Sequence, residues 1–188
     1  DTPTLQLLAL GLMCGLSAIA VGRPLMFTWC LAMLMLGLGG WQQIDISSIE
    51  RARQRSFFGV YTIQNSQSQQ TRKLLHGTTL HGAQSLVPEK SRMPLTYYAP
   101  GSGVGLAMQT APSLFGPAAR IGVVGLGTGS LTCYSVASED WTLFEIDPLM
   151  VELATDPKLF SFVSQCKPDA RIVVGDARLK LAEEPANR

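Results

Sequence analysis

Three short stretches of this sequence place reactive or ligand-binding residue types at the ends of apolar runs. Gly125-Leu126-Gly127-Thr128-Gly129 follows the run Ile121-Gly122-Val123-Val124. Glycines let a backbone turn with positive φ and let a ligand approach it closely. The spacing is GxGxG, whereas the dinucleotide fingerprint is GxGxxG and needs its third glycine where Ser130 stands. A phosphate loop would need GK[ST], which is absent. The loop therefore suits a ligand without a pyrophosphate. Glu145 lies in "WTLFEID", about 20 residues beyond the first glycine, where an acid accepts hydrogen bonds from ribose hydroxyls. Asp176 lies in "RIVVGDARL", where a carboxylate can accept a bond from an adenine amino group. The ordered set, a glycine loop and two acids, points to an adenosyl group.

These residues need a sheet that brings three strand ends to one crevice. "RIGVV", "WTLFEID" and "RIVVGDARL" read as parallel strands, the first apolar enough to be buried. Ser102 is an expected N-cap for a helix reaching Met108 or beyond, and a helix is expected near Pro148. Upstream, "RSFFGVYTIQ", "TRKLLHG" and "TTLHGAQSL" read as the strands of an antiparallel meander. His76 and His81 stand at i and i+5. On one extended strand that spacing puts them on opposite faces, so without a bend at Gly77 they suit structural roles better than a shared site. Tyr97 and Tyr98 fall on a proline- and glycine-rich loop. With Gln84 they are the candidates for contacts to an acceptor substrate.

The chain begins differently. Leu5–Gly22 and Pro24–Ile44 carry no charge, with Arg23 between them. A bilayer core of about 30 Å needs about 20 apolar residues, with roughly 17 as the lower limit. The expectation is a transmembrane helical hairpin turning at Gly22-Arg23-Pro24. Small residues at Gly11, Gly15, Ala18 and Gly22 would let further helices pack closely. Arg51, Arg53 and Arg55 follow the second run and place the following domain on the cytoplasmic side. A multi-pass membrane protein in contact with the lipid bilayer is expected. The chain opens on Asp1 and ends on Arg188, and it reads as a fragment of a longer protein.

The order GLGTGS, FEID, GDA resembles the S-adenosylmethionine-fold transferases, in particular the spermidine synthase (polyamine aminopropyltransferase) branch. The resemblance covers about residues 57–181. "FFGVYTI", "LLHGTTLHGAQ" and "TYYAPGSGVG" are similar to the membrane-fused subgroup of that family. The fold so implied is α/β: a partial Rossmann-like class I S-adenosylmethionine-dependent methyltransferase fold comprising its first three parallel strands. A small antiparallel β module and the transmembrane hairpin precede it, with boundaries at 1–45, 46–100 and 101–188. The co-substrate implied is S-adenosylmethionine or decarboxylated S-adenosylmethionine. Gly125, Gly127 and Gly129 would surround its amino-acid or aminopropyl tail, and Glu145 would hold the ribose. Ile146 would pack on the adenine, with Asp176 and the Ala177 N–H bonding its edge. The second substrate would be a small amine. Soluble polyamine synthases carry acids in the segment that reads HGTTLHGAQ here, and this chain has none there. The family's catalytic aspartate follows a fourth strand, expected beyond Arg188, so the resemblance assigns no catalytic residue within this sequence and implies transferase activity for the full-length protein, with this stretch alone expected to be inactive.

Composition narrows the classes further. The formal net charge of +1 gives no electrostatic reason for nucleic-acid binding. The mean hydropathy of +0.19 reflects the apolar start. Cys14, Cys30, Cys133 and Cys166 form no CxxC pair and no zinc spacing. They are expected as reduced thiols, and no metal is expected. Two alternatives to aminopropyl transfer stay open: methyl transfer on the same fold, and a membrane protein that binds a nucleoside or polyamine without turnover. The sequence does not fix the oligomeric state.

Overall fold

The computed structural model describes residues 2–41, 44 and 52–184. The chain divides into two compact units, Asp1–Ala52 and Arg53–Arg188.

The first unit is helical. α1 spans Thr2–Ile19 and α2 spans Pro24–Met35. Gly22 at φ 90° ends the first helix, and Pro24 opens the second at a position where its missing N–H costs nothing. A π turn, Leu36–Gly40, follows α2 and is broken by non-helical angles at Leu38 and Gly39. Among the described residues, no helix is long and apolar enough to cross a membrane. This overturns the expected transmembrane hairpin. An uncharged run is not the same as an apolar helix. α1 has 18 residues, about 27 Å of helix, at the lower edge of the spanning range. α2 has 12 residues, about 18 Å of helix, before the break. Among the described residues the topology argument from Arg53 and Arg55 has no spanning helix to orient, and Arg51 lies outside them.

The second unit carries both sheets. An antiparallel sheet has the order β1-β2-β3-β4, with β1 Arg53–Arg55, β2 Val60–Ser66, β3 Thr71–His76 and β4 Thr79–Ser85. "RSFFGVYTIQ" is thus two strands, not one. The Ser56 N–H donates to the Gly59 carbonyl at 2.9 Å, closing a turn that leaves Phe57 in solvent. Gly77 at φ 59° opens the β3–β4 turn. Beyond it the register shifts: Leu75 opposes Leu80, but Leu74 opposes Gly82, so His81 is an extra residue in β4.

The parallel sheet has the order β5-β6-β7, with β5 Arg120–Val124, β6 Asp140–Glu145 and β7 Arg171–Val174. α3, Gly103–Phe115, precedes it, and the Ser102 hydroxyl caps it by accepting the Gly105 N–H at 3.1 Å. α4 (Pro148–Thr155) and α5 (Phe162–Cys166) lie between β6 and β7, and α6 (Ala177–Glu183) follows β7. Trp141, Leu143, Leu153 and Phe160 form the core together with Tyr61 of β2 and Leu74 of β3, so both sheets share one hydrophobic cluster. β5 is not buried on both faces as its composition predicts. Val124 is 68 % exposed and the strand alternates between exposed and half-buried.

Candidate functional site

The glycine loop has the backbone its composition requires. Gly125, Gly127 and Gly129 lie at φ 89°, 54° and 80°, where other residues are strained. Their surroundings differ. A Cβ at Gly125 would meet nothing within 4 Å, so this stretch of backbone is open to a ligand. At Gly127 it would lie 3.1 Å from the His81 carbonyl oxygen and 3.9 Å from the Tyr98 hydroxyl. At Gly129 it would lie 2.5 Å from the Val163 side chain. Of the three glycines expected around a ligand tail, one faces open space and two give way to β4 and α5. Ser130–Tyr134, directly after the loop, is a 3-10 turn.

The disulfide Cys133–Cys166 ties this turn to the end of α5, with Cα atoms 4.8 Å apart. The expectation of four reduced thiols is corrected here; a separation of 33 residues hides the pairing from any local spacing rule. Cys14 and Cys30 are free.

Glu145 ends β6 and is buried. One carboxylate oxygen accepts the Leu126 N–H at 2.8 Å, and the other accepts the Asp147 N–H at 3.0 Å. The acid expected on a ribose therefore also fixes the glycine loop. Each carboxylate oxygen has a second lone pair for a further donor. Ile146, the expected adenine contact, is 45 % exposed beside it. Asp176 is exposed and accepts the Arg178 N–H at 2.9 Å, capping α6. Ala177 is the first residue of that helix. The three strand ends thus stand side by side, as the strand order requires.

The acceptor-side candidates differ in what holds them. Gln84 is buried, and its amide is consumed: its NH₂ donates to the Ser91 carbonyl at 2.8 Å and to Ser161 Oγ at 2.7 Å, while its oxygen accepts the Ser161 N–H at 3.1 Å. It braces β4, with both amide N–H groups used within the fold. Tyr97 and Tyr98 pack ring to ring at 4.3 Å on a 3-10 turn, Thr96–Tyr98. Thr96, a β-branched residue, holds φ 60°, a strained conformation. The Tyr134 hydroxyl donates to the Tyr98 carbonyl at 2.6 Å. Burial raises the Tyr97 hydroxyl well above the ordinary tyrosine range, and its bond with Tyr98 adds to this.

The histidines come together, against the spacing argument. Their ring centroids are 5.6 Å apart, and His76 also packs on Tyr61 at 4.9 Å. The reversal at Gly77 and the bulge at His81 replace the single extended strand that the argument assumed. Burial lowers the His81 pKa below 6.5; His76 lowers it further and Glu145 opposes them.

Asp147 was missed by the sequence reading. It is 1 % exposed and accepts hydrogen bonds from the Ser56 and Tyr61 hydroxyls and from the Leu149 N–H. Burial and this carboxylate together push the Tyr61 hydroxyl far above its ordinary value. The signal was an Asp directly before Pro148, the pattern of an N-cap. Thr128 was missed too. Its hydroxyl is buried without a partner and would clash with a Cβ on Gly82, so the glycine lets β4 lie against the loop. Among the described residues, no group of three or more His, Cys, Asp or Glu is placed to hold a metal ion. A cavity of about 260 Å³, lined by Ile121, Gly122, Thr142 and Phe144 among others, lies along the strands rather than at the glycine loop.

No family model matches the chain, and no curated protein matches it.

Proposed function

We propose that the second unit binds the adenosyl group of S-adenosylmethionine, or of its decarboxylated form, across the ends of β5, β6 and β7. The activity proposed is that of a spermidine synthase-like transferase moving an aminopropyl group to an amine. One observation carries this reading: a positive-φ glycine open to a ligand, Gly125, adjoins a buried acid, Glu145, with a second acid, Asp176, on the next strand. Gly125 fits a close-lying ligand because no side chain or backbone occupies the space in front of it. Glu145 would receive ribose hydroxyls, Asp176 and the Ala177 N–H the adenine edge, and Ile146 its face. The donor supplies a sulfonium leaving group. The protein's part is to align the amine with the carbon beside sulfur and to take up a proton.

A second reading, binding without turnover, draws on Gln84. Both of its amide N–H groups and one oxygen lone pair are engaged within the fold, and the β4 segment holds no acid to attract an amine. Methyl transfer would use the same crevice and differ in product. Calorimetry with S-adenosylmethionine and with its decarboxylated form, followed by product analysis with putrescine, tests all three. Methylthioadenosine marks aminopropyl transfer, S-adenosylhomocysteine marks methyl transfer, and binding without either marks the second reading. Failure of both donors to bind removes the proposal.

A further inference from the structure

We propose that the Cys133–Cys166 disulfide is a redox gate on the glycine loop, an inference that rests on the donor-binding reading of the crevice. Oxidised, the bridge holds Gly125–Gly129 in the form that receives the adenosyl group. Reduced by a dithiol, it releases the loop and weakens donor binding. Both segments that it joins bear on the loop. Cys133 lies in the 3-10 turn directly after Gly129. That turn hangs from the Gly129 carbonyl, which accepts the Thr132 N–H at 3.0 Å and the Thr132 hydroxyl at 2.8 Å. Cys166 ends α5, whose Val163 fills the space in front of Gly129.

Neither segment holds itself. The turn and α5 have five residues each, too few for a helix to be stable alone in water. Two hydrogen bonds beside the bridge are long: Ser135 Oγ donates to the Cys166 carbonyl at 3.3 Å, and the Lys167 ammonium to the Ala137 carbonyl at 3.4 Å. A shift of the turn reaches the loop by two routes. The Gly129 N–H donates to the Leu126 carbonyl at 2.9 Å, next to the open Gly125. The Tyr134 hydroxyl holds the Tyr98 carbonyl at 2.6 Å, and the Tyr98 hydroxyl lies 3.9 Å from the Cβ position of Gly127. Cys133 and Cys166 are each half-buried, so a small dithiol can reach the bond. A thiolate of the dithiol attacks one sulfur of the bridge, the S–S bond breaks, and the other cysteine leaves as a thiolate that takes up a proton. The second sulfur of the dithiol then displaces the first cysteine from the mixed disulfide. The bridge gains two electrons and two protons, and the dithiol becomes a cyclic disulfide.

The test uses the full chain carrying Cys14→Ser and Cys30→Ser, so that only the bridged pair exchanges. Calorimetry measures Kd for S-adenosylmethionine and for its decarboxylated form, with the protein oxidised and in dithiothreitol. The expected result is a Kd on the order of tenfold higher after reduction, restored on reoxidation. Adding Cys133→Ser and Cys166→Ser together should give the weaker affinity with or without dithiothreitol. By reciprocity, saturating donor should raise the ratio of reduced to oxidised dithiothreitol needed for half-reduction by the same factor. A bridge that is only structural leaves that ratio unmoved, and this outcome overturns the inference. Equal donor affinity in the two states also overturns it while the donor reading stands. Loss of the far-UV circular dichroism on reduction overturns it as well, because the bridge would then hold the whole unit rather than gate the loop. Absence of donor binding by the oxidised protein instead removes the donor reading, and the inference with it.

Discussion

The carboxylate of Glu145 accepts the backbone N–H of Leu126 at 2.8 Å, across the boundary between β6 and the glycine loop. One side chain thereby ties the acid of the candidate site to the conformation of the loop beside it. The other carboxylate oxygen holds the Asp147 N–H, which orients the residue that caps α4. In the proposed site, ligand affinity and local stability would be coupled through shared atoms.

Glu145→Gln should therefore lower both. The amide offers one acceptor oxygen where the carboxylate offers two, and its NH₂ is placed against a backbone donor. Loss of a charge-assisted bond costs about 1.5–3 kcal/mol. Urea unfolding should show a fall of that order, and calorimetry should show adenosyl affinity reduced about tenfold or more. A variant that keeps full stability while losing affinity would show that the loop does not depend on this bond.

Gly125→Ala and Gly129→Ala should separate ligand binding from packing. Both place a Cβ at positive φ, costing about 1–2 kcal/mol. The Gly125 methyl enters open space and should abolish adenosyl binding with only that loss of stability. The Gly129 methyl meets Val163 at 2.5 Å and should cost about 1–3 kcal/mol more. Adding Val163→Ala should recover part of the second cost, giving a double variant more stable than the sum of the singles. Equal losses in Gly125→Ala and Gly129→Ala would contradict the difference in their surroundings.

Local patterns made the parallel strands, the Ser102 cap and the alignment of Gly125, Glu145 and Asp176 readable from sequence, because each depends on neighbouring residues. What was not readable depends on distant ones. The bond of Tyr61 to Asp147 joins residues 86 positions apart, and Cys133 pairs with Cys166 across 33. Gln84 looked available because its partners, Ser91 and Ser161, lie on other segments. The histidine pair was misjudged because a one-residue bulge changes the register without a signature in composition. The N-terminal runs were misjudged because absence of charge was counted as helix length, and Gly39 at φ 96° ends that equivalence.

Reduction of Cys133–Cys166 should destabilise the second unit. Opening a loop of this size costs about 2–4 kcal/mol, chiefly by freeing the unfolded chain. The 3-10 turn after the glycine loop should loosen from α5, lowering amide protection at Gly129–Tyr134. Hydrogen exchange with and without dithiothreitol measures this, and Cys166→Ser should reproduce the reduced state.

Asp147→Ala should be among the most damaging single changes. It leaves the Ser56 and Tyr61 hydroxyls and the Leu149 N–H without their acceptor, and orphaning the buried Tyr61 hydroxyl alone costs about 1–3 kcal/mol. Tyr61→Phe removes one donor and should cost less. Urea midpoints should rank the parent above Tyr61→Phe and Tyr61→Phe above Asp147→Ala; a reversed order would mean that the carboxylate is poorly accommodated in the parent.

Acid should destabilise the protein through His81 before the carboxylates titrate. Burial and His76 hold the folded-state pKa of His81 below 6.5. As pH falls past 6.5 the unfolded chain takes up this proton first, while the folded protein resists it. Between 6.5 and the lower folded value the unfolded state binds more protons, so stability declines with falling pH. Below the folded value both states are protonated and this contribution becomes flat; above 6.5 neither is. Urea midpoints of the parent should therefore drop as pH is lowered from 7 through 6, and His81→Ala should remove that part of the slope. His76→Ala should move the His81 titration upward, because the second-largest cause of its depression is gone. Ring-proton NMR titration of His81 reads the shift directly. A His81 that titrates at 6.5 in the parent would show that its ring is solvated as a free histidine is, and the stability slope would then belong to another group.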